Sequence, residues 1–291
     1  MKKNVLRTML LAAGLILALA ACGPQSAEPA PEKPEEAAAE PAEGETAAPA
    51  DVDQAVALAL LDQARSGYAE GECPAEGHAI LGAFTNEDEN TVEVYAQCSV
   101  GNYGFVSGNF EEISGSGAIP SRLTFARDEN GGLTLTDFWQ AEDGSRYGPS
   151  IRETFPAELA DEALNTQAYY PALKEEKEAY ARAYLEEIGR AAEIGEYADF
   201  DHPLAIDQGM SPKVSDQLMT VRWEYPFFLG NEERLEDGVR WVYSNGWTPG
   251  ETDGEGTVTY TKTNYDTGEI AEQHVYQVTG DDYREIEAPE S

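Results

Sequence analysis

Apolar and polar positions between residues 51 and 67 follow the period of an α-helix. Val52, Val56 and Leu60 recur every four positions, and the pattern ends at Gly67. This spacing predicts an amphipathic helix with one buried face. Asp51 is its predicted N-cap, with Gln54 in the capping-box position three residues later.

From residue 78 onwards, apolar positions alternate with polar ones, which is typical of half-buried strands. The alternation predicts strands over residues 78–84, 91–96, 103–113, 122–126 and 133–138. A short helix is predicted over residues 150–156. One helix followed by consecutive antiparallel strands predicts an α+β fold, in which the helix packs on one face of an antiparallel β-meander.

The rest of the chain repeats this order on a smaller scale. A long helix is predicted from Pro171, which suits a first turn, to Gly195, which can end it. Further strands are predicted over residues 218–225, 239–243, 256–263 and 270–278, and form a second, smaller antiparallel unit. We therefore predict an α+β domain over residues 51–165 and a helix plus β-meander domain over residues 166–291.

Residues 1–21 have the pattern of a secretory signal. Lys2, Lys3 and Arg7 precede an apolar run over residues 9–21, which is shorter than the roughly 20 residues that span a bilayer. Small residues end the run at Cys22, an order that resembles the bacterial lipoprotein signal. That resemblance implies a lipidated Cys22, carrying palmitate-type acyl chains, at the extracytoplasmic face of the cell membrane. The alternative is an ordinary secretory signal with a chance cysteine.

The segment after Cys22 is predicted to be a disordered tether. Residues 23–50 contain six prolines among alanines and glutamates, and prolines at this density interrupt every helical turn. Almost nothing apolar is present to bury. As a coil, this Ala/Pro/Glu-rich linker would reach about 30 Å.

Acidic residues dominate the composition, and the formal net charge is −36. Because the leader holds three of the 19 basic residues, the exported part has 16 basic against 55 acidic residues, a formal charge of −39. Such a field repels phosphate backbones and excludes nucleic acid as an expected partner. It favours cationic partners or metal counter-ions, although solubility alone also explains it.

Two cysteines, Cys73 and Cys98, remain after Cys22. An exported compartment permits disulfides, and each cysteine lies near one end of a predicted hairpin, so a disulfide between them is predicted. An in-register hairpin turning near residues 87–89 would place Cys73 opposite Tyr103, so the bond requires a bulge or a bent entry segment. Two free thiols are the alternative.

Ser114 and Ser116 lie among glycines in the stretch GNFEEISGSG. The frame Gly-x-Ser-x-Gly of a nucleophile elbow fits neither serine, and the Gly-Lys-Ser/Thr of a phosphate-binding loop is absent. We interpret residues 114–117 as the bend between two strands, where glycine supplies positive φ. A backbone-lined binding loop is the alternative.

No local motif for catalysis or metal binding is found. The chain has three histidines, His78, His202 and His274, and their spacing fits no zinc motif. The acylation motif Ser-x-x-Lys is also missing. We therefore predict no catalytic residue, no metal ligand and no cofactor, and a protein that is not an enzyme.

Aromatic residues are concentrated in the last third of the chain. Trp223 and Tyr225 would share one strand face, as would Trp241 and Tyr243, with Trp247 close by. Aromatic side chains on a polar sheet often form binding platforms. With Tyr103, Phe105, Ser114 and Ser116 they make up the candidate binding surface. The alternative is that they build the core of the second unit.

Several stretches together resemble a known family. The segments AEGHAILG, NYGFVSGNFEEISGSGAIPSRLTF and YGPSIRETFP are similar to an uncharacterised extracytoplasmic region of Bacillota-type lipoproteins. A similar region occurs outside the membrane part of some β-lactam-receptor-like membrane zinc peptidases. YPFFLGNEERLEDGVRWVY and KTNYDTGEIAEQHVYQV resemble a companion segment. The resemblance covers most of residues 70–280 and implies an accessory sensory or binding role at the envelope.

The predicted function is a lipid-anchored, extracytoplasmic binding or sensing module without catalytic activity of its own. Its predicted partners are the membrane, through the lipid anchor, and an envelope protein, a peptide or a small molecule. The alternative is a cell-envelope hydrolase with a dispersed active site.

Overall fold

The computed structural model of the protein describes residues 51–69 and 71–288. Its five α-helices are α1 (Val52–Gly67), α2 (Tyr147–Thr154), α3 (Ala157–Ala163), α4 (Thr166–Glu187) and α5 (Pro212–Val221). Its eleven strands are β1 (Cys73–Asn86), β2 (Thr91–Val106), β3 (Asn109–Gly115), β4 (Ile119–Arg127), β5 (Leu133–Gln140), β6 (Ile194–Glu196), β7 (Gly230–Glu236), β8 (Val239–Pro249), β9 (Glu255–Asn264), β10 (Ile270–Thr279) and β11 (Asp282–Ile286). The lipidation site, the leader and the tether lie outside the described residues.

These elements confirm the predicted α+β fold. All eleven strands belong to one sheet, whose main path runs β11-β10-β9-β8-β7-β2-β3-β6. The pairs are antiparallel except β3–β6, which is parallel. β2 is the central strand, since it pairs with β1, β3, β4 and, at its last residue, β7.

Helices cover both faces of β2. Val56 and Leu60 of α1 pack against Val94, Leu123 and Phe125 on one face. On the other face, α4 packs over a second cluster, and α2 and α3 over a third. β2 is therefore buried along almost its whole length, and the predicted single-sided meander is instead covered on both sides.

Helix α4 lies directly against β1. A Cβ atom added at Gly77 would lie 2.4 Å from the backbone oxygen of Leu173, so this strand position needs glycine for the close approach. The helix was assigned to the second predicted domain, yet it covers strands of the first. The division into two domains stays a prediction. Strands from both predicted domains belong to the same continuous sheet.

The second half of the sheet has its own core beneath α5. Val214 and Leu218 of the helix pack over Tyr243, Val258 and Tyr276 from three consecutive strands. Aromatic rings in this cluster meet mostly edge to face, a favourable geometry.

Three element predictions differ from the structure. Residues 218–225 are not a strand, because Pro212 begins α5 at its first turn and the helix continues to Val221. The long helix begins five residues before Pro171, and Gly189, with φ 67°, follows its end instead of Gly195. The strand predicted over residues 103–113 is divided by a two-residue turn at Ser107 and Gly108, both with positive φ.

The predicted disulfide does not hold in this structure. Cys73 and Cys98 are both free and buried, because the hairpin register places Cys73 opposite Tyr103 and Cys98 opposite His78. Five residues of strand, about 16 Å, separate the two pairs, far beyond the Cα separation of about 4.4–6.8 Å in a disulfide. Burial raises the pKa of each thiol to about 12.

Within the described residues, no helix combines the length and apolar character needed to cross a membrane.

Candidate ligand-binding groove

The two halves of the sheet separate where β7 leaves β2. Val106 pairs with Glu232, and the amide of Ser107 donates to the carbonyl of Asn231 at 2.8 Å. Beyond this point the segment that leads into β1, including Gly71 and Glu72, lies beside β2. The separation leaves a groove of about 750 Å³. Typical ligand pockets have volumes of about 300–1,000 Å³.

The sides of the groove carry large apolar side chains that remain exposed. Trp223 is 81% exposed, Leu235 50% and Ile113 38%. The floor is formed by Gly104, Phe105 and Val106 at the end of β2. Exposed apolar side chains clustered around a concavity mark an interaction site more often than scattered ones do.

A buried ion-pair network lies behind one side of the groove. Arg240 binds Glu233 at 2.9 Å and Glu72 at 2.8 Å, and Arg190 binds Glu233 at 2.6 Å. The Arg190 guanidinium also lies 3.4 Å from the centre of the Phe105 ring, a cation–π contact. These carboxylates are therefore already engaged by arginines.

Most of the predicted binding surface is core. Tyr225, Tyr243 and Trp247 are buried beneath α5, and Trp241 is half-buried beside the same cluster. Tyr103 is fully buried and packs near α4.

Among the predicted binding residues, Trp223 and Phe105 line the groove, and only Trp223 is strongly exposed. The core interpretation of the aromatics is therefore right for most of them. Sequence alternation could not find the groove, because it placed Trp223 on a strand that does not form.

Ser116 lies in the bend between β3 and β4, but Ser114 and Gly115 still belong to β3, opposite Asn102 and Gly101. Neither Gly115 nor Gly117 has the positive φ that the sequence interpretation expected. The Ser114 hydroxyl donates to the carbonyl of Ala69 at 2.9 Å. The Ser116 hydroxyl accepts from the amide of Val100 at 3.2 Å. Both hydroxyls satisfy backbone groups, as is usual for serine at turns.

The glycines of the same stretch make room for a buried carboxylate. A Cβ atom at Gly115 would lie 2.1 Å from Glu112 Oε1, and one at Gly101 would lie 2.9 Å from the same carboxylate. Lys177 of α4 donates to both oxygens of Glu112 at 2.7 Å. Burial raises the pKa of Glu112, and the Lys177 ammonium partly offsets this effect. The sequence showed the glycines, but only the fold reveals the ion pair.

A second buried cluster joins three elements around His78. Its Nδ1 lies 2.9 Å from Glu76 and its Nε2 lies 3.2 Å from Asp53 at the start of α1. From α4, the Tyr180 hydroxyl donates to Glu76 at 2.9 Å, and Glu176 accepts the backbone amide of His78 at 2.8 Å. Burial by itself lowers the pKa of His78, but Glu76 and Asp53 outweigh it and the net pKa is raised.

This cluster predicts a pH-dependent stability. Because the pKa of folded His78 exceeds the unfolded value of about 6.5, its stabilising contribution is fully present below pH about 6.5 and is lost as pH rises through the folded-state pKa. Urea unfolding at a series of pH values should show that the wild type has a larger free energy of unfolding than His78→Gln at low pH. This difference should shrink as the pH rises through the folded-state pKa of His78. A difference that stays constant with pH would contradict the assignment.

A histidine–carboxylate pair also occurs away from the groove. His202 Nε2 lies 2.8 Å from the buried Glu111. The ring of Tyr197 stacks on His202 with 3.7 Å between centroids, and Phe228 packs edge to face against it. Aromatic rings cover the imidazole on two sides, an arrangement that fits a packing role.

Within residues 51–69 and 71–288, no group of three or more His, Cys, Asp or Glu side chains is arranged to hold a metal ion. Comparisons with protein-family models, with curated proteins and with solved structures find no match to this chain.

Proposed function

We propose that this protein is a lipid-anchored, extracytoplasmic binding or sensing module without catalytic activity of its own, and that the groove between β7 and the start of β1 binds its ligand. The observation that carries the proposal is the combination of a 750 Å³ concavity with Trp223, which is 81% exposed at its side. Leaving so large a ring in water is unfavourable, and binding a partner relieves it.

The chemistry of the groove supports binding rather than turnover. Its described lining supplies carboxylates, one guanidinium and apolar groups. Glu72 and Glu233 are held by Arg240, and Glu232 by Arg234 at 2.8 Å. Carboxylates engaged in this way are poorly placed to act as a general base, since guanidinium donors already occupy their oxygens.

The proposed anchor rests on the resemblance of the leader to the bacterial lipoprotein signal, which implies a diacylglyceryl group on Cys22. A Cys22→Ser variant is expected to leave the membrane fraction, because the diacylglyceryl group on Cys22 is the proposed attachment. Retention of that variant with the membrane would contradict lipidation at Cys22.

The binding role is tested by a thermal-shift screen of the exported part against cell-wall fragments, peptides and small apolar molecules. A true ligand should raise the melting temperature of the wild type and not of Trp223→Ala, because the indole forms one side of the groove. Leu58→Ala is the control, since Leu58 is 46% exposed on α1 and is not among the lining residues. Hits that act equally on all three proteins, or turnover of a screened compound, would contradict the proposal.

A further inference from the structure

Resting on the proposed function, we propose that the groove binds an extended, basic segment of another polypeptide, which adds as a strand to the free edge of β7. Three features carry this inference. They are the backbone geometry of β7, the placement of apolar side chains beside it, and the charge of the chain.

The backbone of β7 has one edge against β8 and the other towards the groove. All seven residues of β7 pair with β8, but β2 pairs with β7 at Glu232 alone. The carbonyl of Asn231 points to the β2 side, where it accepts from Ser107. Since backbone groups alternate along a strand, the backbone groups of Glu233 and Leu235 point to the same side as those of Asn231.

An unpaired strand edge is a template for another strand. The Val106–Glu232 bridge and the Ser107–Asn231 bond together place the Glu233 amide against the carbonyl of Phe105. Among the described residues, β2 pairs with no residue of β7 beyond this bridge, so the Glu233 carbonyl and the amide and carbonyl of Leu235 face the groove. The open edge is about 10 Å long, at about 3.3 Å per residue, and can hold about three residues of an extended ligand.

Apolar side chains beside this edge indicate which side chains the ligand needs. Leu235 lies on β7, Ile113 on β3, and Trp223 in the turn that follows α5. A strand that pairs with β7 presents every second side chain to the same face. The expected ligand thus has apolar residues at alternate positions.

Charge determines the class of partner. The four glutamates that line the groove are already ion-paired: Glu72 and Glu233 with Arg240, Glu232 with Arg234, and Glu236 with Lys262. The groove is therefore close to neutral by itself, and the attraction for a basic segment comes from the field of the whole chain. The whole chain carries a formal charge of −36, a field that attracts cations and raises their association rate. The same field repels a second copy of this chain, so a foreign basic segment is the occupant that the charge favours.

The test uses a fluorescein-labelled hexapeptide of alternating lysine and valine, titrated into the exported protein at low salt. Two matched peptides accompany it, one with glutamate in place of lysine and one N-methylated at every second backbone amide. The glutamate peptide should bind at least tenfold more weakly, because it is repelled. The affinity of the N-methylated peptide should also be at least tenfold lower, because methylation removes the backbone donors that pair with β7.

Variants of the protein test the edge itself. Leu235→Pro removes the amide that points into the groove and leaves the ladder to β8 intact. It should therefore lower the affinity for the lysine–valine peptide at least tenfold. Trp223→Ala should weaken it by a similar factor, whereas Leu58→Ala should not change it. The N-methylated peptide provides the same information should Leu235→Pro fail to fold.

The outcomes separate this inference from the proposed function. Equal affinity for the normal and N-methylated peptides, with Trp223→Ala still weakening both, would overturn strand addition and leave groove binding intact. Self-association that Leu235→Pro abolishes would make the occupant a second copy and overturn the inference. If neither the peptide nor any screened compound depends on Trp223, the proposed function fails as well.

Discussion

Replacing Lys177 by methionine is expected to lower the free energy of unfolding by about 3–5 kcal/mol, because it leaves the Glu112 carboxylate buried without its partner. The Lys177 side chain is 1% exposed and that of Glu112 9%. Gly101 and Gly115 surround the carboxylate so closely that it has little room to turn towards water. Urea unfolding followed by circular dichroism measures the change.

The matched control is Lys174→Met on the same helix. Lys174 pairs with Glu196 and Asp199, but its side chain is 26% exposed, so its loss should cost about 0–1 kcal/mol. A double variant, Lys177→Met with Glu112→Leu, removes the orphaned charge and should recover part of the lost stability. Equal effects of Lys177→Met and Lys174→Met would contradict the assignment of a buried pair.

Replacing Arg240 by methionine is also expected to destabilise the protein by about 3–5 kcal/mol, since two buried carboxylates lose a shared partner. The Glu72 and Glu233 side chains are 5% and 7% exposed. Arg240 lies on β8 and Glu72 precedes β1, so this contact ties the two halves of the sheet together. Guanidinium chloride is unsuitable here because it screens charges, and urea unfolding is the better measurement.

Arg284→Met provides the control for Arg240→Met. Arg284 donates to Gln277 on the exposed surface of the last strand pair, so its loss should change stability by about 0.5 kcal/mol or less. If Arg240→Met unfolds at the same urea concentration as this control, the network does not stabilise the sheet.

Local signals in the sequence were enough to predict much of the fold. The four-residue spacing after Asp51 predicted α1 within a residue, and the alternation at residues 256–263 and 270–278 predicted β9 and β10 closely. In these elements the more buried side chains recur at the spacing of a helix or a strand, so their patterns are clear. The glycines and serines at residues 114–117 marked the bend between β3 and β4 only in part, because Ser114 and Gly115 still belong to β3.

The errors come from elements whose surroundings override the local pattern. The residues from Leu218 to Tyr225 alternate like a strand, but Pro212 and the spacing of Val214 and Leu218, about one helical turn apart, favour a helix that covers the first four of them. Gly230 to Glu236 is rich in glutamate and gave no strand signal, yet β8 pairs with all of it. A mostly polar segment of this kind forms a strand because it pairs with a neighbouring strand, here β8. The pattern of residues within the segment does not show that pairing.

The candidate groove was beyond reach for a related reason. It depends on where β7 leaves β2 and on which residues from distant segments meet there, such as Ile113, Trp223 and Leu235. The buried pairs Glu112–Lys177 and Glu72–Arg240 are separated by 65 and 168 positions along the chain. In a chain with 55 acidic residues, nothing in the sequence distinguishes these carboxylates from the solvated majority.

The backbone joins β2 to β7 at a single bridge, Val106 with Glu232. Side chains hold the rest of the junction, because Glu72 binds Arg240 and Arg190 binds Glu233 across it. Each half of the sheet has its own core, so the spacing between the halves depends on these buried ion pairs more than on the backbone ladder. Loss of either pair is therefore expected to change the width of the groove.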